Sequence, residues 1–499
     1  MVKDTLDVLL IDPPWYRLFE QQRSARPLGL CSLAAVLKKN GITSGIYNAD
    51  MKSGAHPVDA FSTTSHYAKY LETVTNINAS IWKEVESVIR KYTPKIVGIT
   101  ILTAKYQASL TLAKLIKKID PATIIVVGGF HPTLLPEETI ANECFDFLVF
   151  GEGEHTFLEL TQAILGNEKS FSQIKGIVFK QNAKVIRNAS RALIAILDEL
   201  PYPANDLIID NKNMLPDDFS RIFASRGCPY DCIFCASNAI WSKRVRYRSP
   251  ENVVGEIEQI NNRYRPAYFH FEDDSFSLNI AYVKQICDLL LSRNIRIHWG
   301  CETRVDLITD DLLKIMRQAG CAKILLGAES GNESTLKKIK KHITVDQTRK
   351  AVMLCKKHRM ETAIFFIIGF PWEGEAEIKQ TVDFMKELDP QFAVYSISTP
   401  YPGTELYEIY KQEGLIPKNI NWSTFFHQSP DMFLTSKLPK GRLKDIIEST
   451  EKIFLQHNRK KQRLKLLNPY KLFLELKEHY KNPKELLARI KYVLNPGRK

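Results

Sequence analysis

The sequence predicts an α/β protein with two successive modules of alternating strands and helices, followed by a basic, helical C-terminal region. Strand-length apolar runs alternate with helix-period segments over the first 200 residues, which is typical of parallel sheets. A second alternation of the same kind begins near residue 221, after a stretch rich in Pro, Asp and Asn. Residues 437–499 contain 18 Lys and Arg against 6 Asp and Glu, which is +12 of the net charge of +13.

The first alternation predicts a Rossmann-like doubly wound domain over residues 1–195. Its mostly apolar runs indicate strands that are buried on both faces. Ligands of such sheets bind beyond the carboxyl ends of the strands. The strands are predicted at 7–12, 44–48, 96–100, 123–127 and 147–150, the helices at 28–39, 79–91, 104–119 and 154–165, and a hairpin at 174–187.

The second alternation predicts a partial (β/α)6 barrel over residues 217–425, with residues 196–216 as the linker and 426–499 as the basic helical region. Six β/α units are fewer than the eight that close a complete barrel. The strands are predicted at 221–225, 268–271, 295–299, 323–326, 363–368 and 392–396, and the helices at 250–262, 280–293, 309–319, 345–358 and 375–388.

Composition indicates a globular protein of a reducing compartment. The 499 residues are 44% hydrophobic and 25% charged, which is ordinary for globular domains. No window offers the ~18 uncharged apolar residues that a membrane span needs, and the N-terminus does not resemble a signal peptide. The nine cysteines are odd in number and mostly scattered, which argues against a disulfide framework. A cytoplasmic location is therefore expected.

Three cysteines, Cys228, Cys232 and Cys235, are spaced C-x3-C-x2-C directly after the first strand of the second module. Thiolates at such spacing can hold three corners of an iron–sulfur cluster. A fourth cysteine is missing nearby, which would leave one iron open to a substrate. A structural zinc site or a chance grouping remains an alternative, although structural zinc needs four ligands and no second Cys or His pair stands at a matching spacing.

The cysteine motif, with Phe234 before its last cysteine, resembles the signature of the radical S-adenosylmethionine (SAM) superfamily. The resemblance implies that the three cysteines bind a [4Fe–4S] cluster whose open iron chelates the amino and carboxylate groups of SAM. Electron transfer from the reduced cluster would then release a 5′-deoxyadenosyl radical. It also implies an external electron donor such as flavodoxin or ferredoxin.

Polar residues follow the later strands of the second module, where the resemblance implies that SAM lies. An arginine there suits a carboxylate because its donors are paired and rigid. For any one carboxylate alone, a helix N-cap is an equally good explanation, but the shared position at strand ends favours a ligand site. The predicted SAM-binding residues are Phe234, Glu272, Asp273, Arg304, Glu329, Gly369 and Pro371.

The first module resembles the cobalamin-binding domain found in one branch of the superfamily, and the resemblance covers about residues 5–435. It rests on Pro27-Leu28-Gly29-Leu30, Val97-Gly98-Ile99-Thr100, Gly128-Gly129-Phe130-His131-Pro132-Thr133 and Gly151-Glu152-Gly153-Glu154. The predicted cobalamin-binding residues are Pro13, Pro14, Thr100, Leu102, Thr103, Gly128, Gly129, His131, Pro132, Thr133, Gly151, Glu152, Gly153 and Glu154.

One departure from other cobalamin proteins concerns the cobalt ligand. The D-x-H-x-x-G pattern, which supplies a histidine to cobalt, is absent. His131 is the only histidine at a predicted strand end of this module, and a loop histidine bonded to the backbone is the favoured explanation for it. In the branch that this chain resembles, the protein usually gives cobalt no histidine.

The resemblance implies a cobalamin-dependent radical SAM enzyme, and a methyltransferase acting on an unactivated carbon is favoured, with two SAM molecules consumed per turnover. Cyclisation, ring contraction or oxidation without methyl transfer is the first alternative. An RNA methylthiotransferase would need further cysteines in the first module, where only Cys31 and Cys144 stand. A cofactor-binding module without catalysis is the third. A small-molecule or lipid-like substrate is expected.

The basic C-terminal region has helical periodicity over residues 441–494. Amphipathic basic helices bind anionic membranes or acidic partners, so peripheral membrane contact is one interpretation. A solvated helical cap on the barrel mouth gives the same pattern and is favoured. No RNA-binding module is recognised around the aromatic residues, so nucleic acid is not expected. Those residues are Phe454, Tyr470, Phe473, Tyr480 and Tyr492.

Overall fold

The computed structural model describes residues 5–21, 25–51, 66–182, 184–432 and 434–467. Its first sheet has seven strands in the order β2-β1-β3-β4-β5-β6-β7, of which β1 to β5 are parallel and β6 and β7 form an antiparallel hairpin at one edge. The strands are β1 Val8–Asp12, β2 Ser44–Asn48, β3 Ile96–Thr100, β4 Ile124–Gly128, β5 Phe147–Val149, β6 Ile177–Gln181 and β7 Lys184–Arg187.

Helices cover both faces of this sheet because its central strands are apolar on both faces. Leu9 and Ile11 of β1 pack on one face with Trp82 and Leu112, whereas Leu10 packs on the other with the opposite group of helices. The helices are α1 Leu28–Lys39, α2 Tyr67–Thr73, α3 Ser80–Tyr92, α4 Tyr106–Ile119, α5 Phe130–Leu134, α6 Pro136–Ile140 and α7 Gly153–Leu165.

The second sheet has six parallel strands in consecutive order, from β8 at one edge through β11, β12, β13 and β14 to β15 at the other. A separate antiparallel ribbon, β9 with β10, flanks the cysteine loop. Consecutive parallel strands joined by helices are the arrangement of a partial barrel, so the predicted fold class is confirmed. The strands are β8 Arg221–Ile222, β9 Ser225–Arg226, β10 Arg246–Tyr247, β11 Phe269–Phe271, β12 Trp299–Thr303, β13 Cys321–Glu329, β14 Glu361–Ile368 and β15 Phe392–Ile397.

Several helices of the second module begin at a residue whose side chain accepts a hydrogen bond from the backbone N–H three residues on, which stabilises the first turn. These residues include Ser249, Asn279, Thr309 and Thr344. The helices are α8 Ser237–Trp241, α9 Pro250–Tyr264, α10 Ile280–Ser292, α11 Asp310–Gln318, α12 Glu333–Lys338, α13 Val345–Lys357, α14 Glu375–Leu388, α15 Glu405–Gln412 and α16 Lys440–Leu467.

Two strand predictions in the second module are wrong in position. The strand predicted at 295–299 begins only at Trp299, because Ile295 and Ile297 pack on the core from the connecting segment without joining the sheet. The strand predicted at 221–225 is divided. Residues 221–222 pair with β11, and Ser225 and Arg226 turn away to pair with β10.

The last described part of the chain packs against both modules. Phe426 contacts the aromatic rings of Trp15 and Phe19 in the first module at centroid distances of 5.1 and 5.7 Å. Helix α16 then covers the open edge of the second sheet, with Leu443 and Phe454 fully buried. The beginning of the basic region is therefore a structural element. Tyr470, Phe473, Tyr480 and Tyr492 lie outside the described residues.

Asn458 of α16 bonds to the edge strand β15. Its side-chain oxygen accepts from the Ala393 N–H at 2.9 Å and its amide donates to the Ala393 carbonyl at 2.8 Å, so it replaces a neighbouring strand at that residue. An edge strand otherwise presents unpaired backbone groups. Across the described ranges, no helix combines the length and the apolar character needed to cross a bilayer.

We predict that Asn458→Ala lowers the free energy of unfolding by about 1–3 kcal/mol, because two buried backbone groups of Ala393 lose their partner. Urea denaturation followed by circular dichroism measures the change. Gln456→Ala, an exposed position on the same helix, is the matched control and should stay within about 0.5 kcal/mol of the parent chain. Equal effects of the two substitutions would contradict the prediction.

Candidate active site

A cavity of about 510 Å³ lies between the carboxyl ends of the first sheet and the start of the cysteine loop. The linker contributes Leu197 and Leu200, and the second module contributes Phe223, Arg226 and Asp274. The predicted cobalamin-binding residues that line the cavity are Thr100, Leu102, Gly128, Gly129, Gly151, Glu152, Gly153 and Glu154. The two modules therefore share one ligand space, which is the position that parallel sheets of this kind offer.

The walls of the cavity are largely apolar. Leu102, Phe130 and Phe223 are large hydrophobic residues whose side chains stay between 39% and 47% exposed, and all three line it. A Cβ on Gly129, whose φ is +107°, would come within 2.9 Å of the Ile101 carbonyl oxygen, so only glycine fits there. An apolar wall with close backbone suits a broad, flat ligand.

The other predicted cobalamin-binding residues do not line the cavity, and several of them hold the loops around it. The Thr133 hydroxyl donates to the Gly129 carbonyl at 2.7 Å and accepts from the Gly151 N–H at 3.1 Å, so it ties two glycine loops together. The carbonyl of Pro13 accepts from the buried Lys105 ammonium, which also pairs with Asp12 at 2.6 Å. The residues outside the lining are Pro13, Pro14, Thr103, His131, Pro132 and Thr133.

His131 is buried and is not among the residues that line the cavity. Its Nδ1 lies 3.2 Å from the Thr103 hydroxyl, and its ring packs between Tyr106 and Trp422 at 4.5 and 4.9 Å. Burial lowers the pKa of the imidazole to about 3, so the ring is neutral at physiological pH. Its Nε2 has no hydrogen-bond partner among the described residues. The side chain contacts an alcohol, whereas a backbone contact was one interpretation of the sequence.

The cysteine loop projects from the β9–β10 ribbon and is fixed on two sides. The Ile233 N–H donates to the Ile339 carbonyl at 3.1 Å, and the Ile233 carbonyl accepts from Leu406 N–H at 2.9 Å. A Cβ on Gly227, whose φ is +102°, would lie 2.0 Å from the Arg244 carbonyl oxygen, so only glycine allows this approach. The backbone on both sides of the first cysteine is thus strongly constrained.

The donor set fits a three-thiolate cluster. Cys228, Cys232 and Cys235 are free, and each is at least partly accessible, whereas Cys287 and Cys301 are fully buried in the core of the second module. In the described ranges, no three His, Cys, Asp or Glu side chains are arranged to hold a single metal ion. A cluster has a different iron at each corner, so its thiolates need not converge on one point.

Positive side chains lie beside the cysteines. Burial raises the pKa of the Cys232 thiol, and the nearby Lys341 ammonium partly offsets that rise. The Arg304 guanidinium lies 3.6 Å from the centroid of the Tyr230 ring within the cysteine loop, and it donates to the Lys341 carbonyl at 2.7 Å. Two cations, Lys341 and Arg304, therefore lie close to the positions at which the thiolates and the SAM carboxylate are predicted.

Glu329 pairs with Lys341 at 2.6 Å, and both side chains are buried. It is the last residue of β13 and has φ +61°, a conformation that non-glycine residues rarely adopt outside functional or tightly held positions. A Cβ on Gly327 would come within 2.4 Å of the Glu329 carboxylate and 2.8 Å of the Lys341 ammonium. Gly327 thus leaves the space that the ion pair occupies.

The three consecutive acids after β11 have different surroundings. Glu272 pairs with Arg221, and the buried Asp273 accepts from Ala224 N–H and from the Ser225 N–H and hydroxyl. Burial raises the pKa of Asp273 to about 6, although these donors oppose the rise. Asp274, which was not in the predicted set, is exposed and lines the cavity.

Glu373 is a second residue that sequence reasoning missed. Its carboxylate accepts from the Gly369 N–H at 2.8 Å and the Phe370 N–H at 3.1 Å. These two hydrogen bonds stabilise the Gly-Phe-Pro turn after β14. Burial raises its pKa to about 7. The carbonyl of Pro371 is held from the other side by the Ser436 N–H at 3.2 Å. The position of Glu373, four residues after Gly369, was the available signal.

The fold and the cavity agree with comparisons to known proteins. Residues 222–385 match the radical SAM superfamily, and residues 22–161 match the B12 binding domain. The chain is 35% identical to an uncharacterized methyltransferase of Pyrococcus horikoshii over 387 residues, which cover 74% of this chain and 84% of the relative. The chain belongs to the cobalamin-binding radical SAM family.

Two further similarities extend this assignment. Within the family, the chain is 27% identical to the anaerobic magnesium-protoporphyrin IX monomethyl ester cyclase of Rubrivivax gelatinosus, over 77% of this chain and 66% of the cyclase. The structure of the cobalamin-dependent SAM radical enzyme OxsB, with aqua-cobalamin and SAM bound, superposes with a TM-score of 0.69 at 18% identity, over 99% of this chain and 74% of OxsB. That likeness shows the shared fold.

We predict that Cys228→Ala, Cys232→Ala and Cys235→Ala each reduce cluster-bound iron and sulfide to background after anaerobic reconstitution, because each removes one of three ligands. Cys287→Ser and Cys301→Ser are the matched controls. Either control losing its cluster while remaining folded would contradict a three-cysteine site.

We predict that bound cobalamin receives no histidine from this chain, because His131 is buried and directed at Thr103. Electron paramagnetic resonance of bound cobalt(II) should show no hyperfine coupling to an axial imidazole nitrogen, in the parent chain and in His131→Gln alike. Nitrogen coupling that disappears in His131→Gln would refute the prediction.

Proposed function

We propose that this chain is a cobalamin-dependent radical SAM methyltransferase that adds a methyl group to an unactivated carbon of a small-molecule or lipid-like substrate. The cluster would be held by Cys228, Cys232 and Cys235, and cobalamin by the glycine-rich strand ends of the first module. When bound, the cluster supplies the electron that cleaves SAM and cobalamin supplies the methyl group. An acidic one-electron carrier of the flavodoxin or ferredoxin class would reduce the cluster.

One observation carries the proposal: a single cavity is lined by the glycine loops of the first module and by the residues directly before the cysteine loop of the second module. Gly128 and Gly151 of the first module and Arg226 and Asp274 of the second module line it together. A substrate radical formed beside the cysteine loop would thus lie close to the methyl donor, and proximity of reacting groups is a major source of rate acceleration. We propose module boundaries near residues 195, 216 and 425 for this arrangement.

The residues around the cysteine loop would bind and orient SAM. Arg304 binds the Asp306 carboxylate through Nε and Nη2 at 2.9 and 3.2 Å, and its Nη1 would receive the SAM carboxylate. The exposed Asp274 carboxylate, 2.7 Å from the Ser237 hydroxyl, is proposed for the ammonium group of SAM. Glu329, Gly369 and the adjoining Pro371 are proposed for the ribose and adenine end. Phe234 and the apolar lining would exclude water from the reactive radical.

Cyclisation without methyl transfer is the second candidate, and the similarity to the Rubrivivax gelatinosus cyclase favours it. The named relative with the higher identity, 35% against 27%, is a methyltransferase, and the chain spans more of that relative, 84% against 66%. The lining of the cavity does not distinguish the two reactions, because both need an apolar pocket beside the cluster.

Product stoichiometry tests the proposal. With reconstituted enzyme, a low-potential reductant and the substrate, S-adenosylhomocysteine and 5′-deoxyadenosine should form in near-equal amounts. One SAM donates its methyl group and the other is cleaved reductively. Methyl-labelled SAM should transfer its label to the product. The Cys232→Ala chain is the control and should form no 5′-deoxyadenosine.

Substrate consumption with 5′-deoxyadenosine but without label in the product would contradict methyl transfer. It would favour the cyclase-type reaction on the same fold. Fractions of metabolite and lipid extracts can be assayed to find the substrate. The labelled methyl group then identifies the methylated compound by its mass.

A further inference from the structure

Two carboxylates of the first module bind a single arginine of the second. Arg226 Nη1 lies 2.6 Å from Glu152 Oε1, and Arg226 Nη2 lies 2.6 Å from Glu154 Oε1. Both carboxylates are buried, with side chains 4% and 7% exposed. Such charge-assisted bonds are shorter and stronger than neutral ones. Arg226 therefore connects the end of β5 to the strand that leads into the cysteine loop.

Each of the two carboxylates has a further partner besides Arg226. Glu152 Oε2 accepts from Arg246 Nη1 at 2.8 Å and from the Ile194 N–H at 2.6 Å. Glu154 Oε1 also accepts from the Ser32 hydroxyl at 3.0 Å. Burial alone would raise the pKa of Glu154, but Arg226 outweighs it and lowers that pKa. Each carboxylate is therefore already bound by an arginine and by a second donor, which leaves little of it to bind a further polar ligand.

The position of this contact links the two candidate cofactor loops. Gly151 and Gly153 alternate with the two glutamates along the cavity wall, so the glutamates fix the backbone that faces the ligand. Arg226 is followed by Gly227 and Cys228, and the fit of Gly227 against Arg244 leaves the segment little freedom. Three consecutive residues, Arg226, Gly227 and Cys228, therefore connect the glycine loop to the first cysteine.

We infer that Glu152 and Glu154 are positioning residues, which couple the cobalamin loop to the cluster loop through Arg226, and are not ligands of the corrin. The inference rests on the proposed function for the location of the two cofactors. Ligation of the cluster would hold Cys228 in one position, and Gly227 and Arg226 would pass that restraint to the glycine loop. Because coupling between two binding sites is reciprocal, each cofactor should strengthen binding of the other.

The test is a binding linkage measured on the full chain. The cobalamin Kd is determined by absorbance titration for protein with a reconstituted cluster and for protein from which the iron has been removed by chelation. In the parent chain, the cluster should tighten cobalamin binding by about 5- to 50-fold. In Arg226→Lys and Glu154→Gln, cobalamin should still bind, but this factor should fall to within about twofold of one.

The matched control is Glu159→Gln, which breaks a pair with Arg191 that lies within the first module. It should keep the coupling factor of the parent chain, because no residue of the second module is involved. If Glu159→Gln lost the coupling as fully as Glu154→Gln, a general loss of rigidity would explain the result and the inference would fail.

Two other outcomes would overturn the inference. The first is a cobalamin Kd of the parent chain that is the same with and without the cluster, because Arg226 would then have no coupling to carry. This measurement needs no variant. Loss of cobalamin binding in Glu154→Gln even without the cluster would instead make the glutamate a ligand. Neither titration uses a substrate, so failure of methyl transfer in the product assay is a separate result.

Discussion

The arrangement of the two modules depends on buried arginine–glutamate pairs that cross between them. Arg26 of the first module is fully buried against Glu256 of the second at 2.9 Å, and Glu256 also binds Arg248. Arg226 and Arg246 of the second module in turn bind Glu152 of the first. Removing one partner of a buried pair costs about 3–5 kcal/mol, because the other charge remains without compensation. The two sheets therefore cannot separate without hydrating several charges.

A second attachment lies at the far end of the chain and is apolar. Trp422, Phe425 and Phe426 belong to the same hydrophobic cluster as Trp15 and the outer face of the first sheet. Burying aromatic rings contributes stability without the geometric demands of ion pairs. The cavity between the modules therefore has two kinds of support, ionic and aromatic. Residues 468–499 lie beyond this described attachment.

The sequence predicted the elements well where one local pattern decides the structure. The strands at 44–48 and 96–100 and the helices at 28–39 and 375–388 have their predicted bounds, because burial on both faces, or a single apolar stripe, determines each one. The strand predicted at 295–299 was displaced because Ile295 and Ile297 alternate like a strand but pack from a loop. Local periodicity cannot distinguish these cases.

The candidate site was predicted in its location but only partly in its roles. Glu152 and Glu154 stand at a strand end, which is where a ligand-binding residue belongs, yet their arginine partners are 72 to 94 residues away in the chain. The hydrophobic periodicity of a sequence gives no information about contacts between two modules. Glu373 and Thr133 were similarly hidden, because each acts by holding a backbone turn. The residues that face the cavity could be inferred from topology, whereas those that support it needed the coordinates.

The pairing of charges determines what the cavity can recognise. Of the acids that line the cavity, Glu272 is paired with Arg221 and Glu154 with Arg226, so they present little net charge to a ligand. Leu102, Phe130 and Phe223 supply the accessible surface instead. Asp274, which accepts from the Ser237 hydroxyl, stands on the wall beside the cysteine loop. A largely apolar ligand with one polar or cationic group directed at the cluster loop therefore matches this lining, since apolar walls provide affinity and a few polar groups fix orientation.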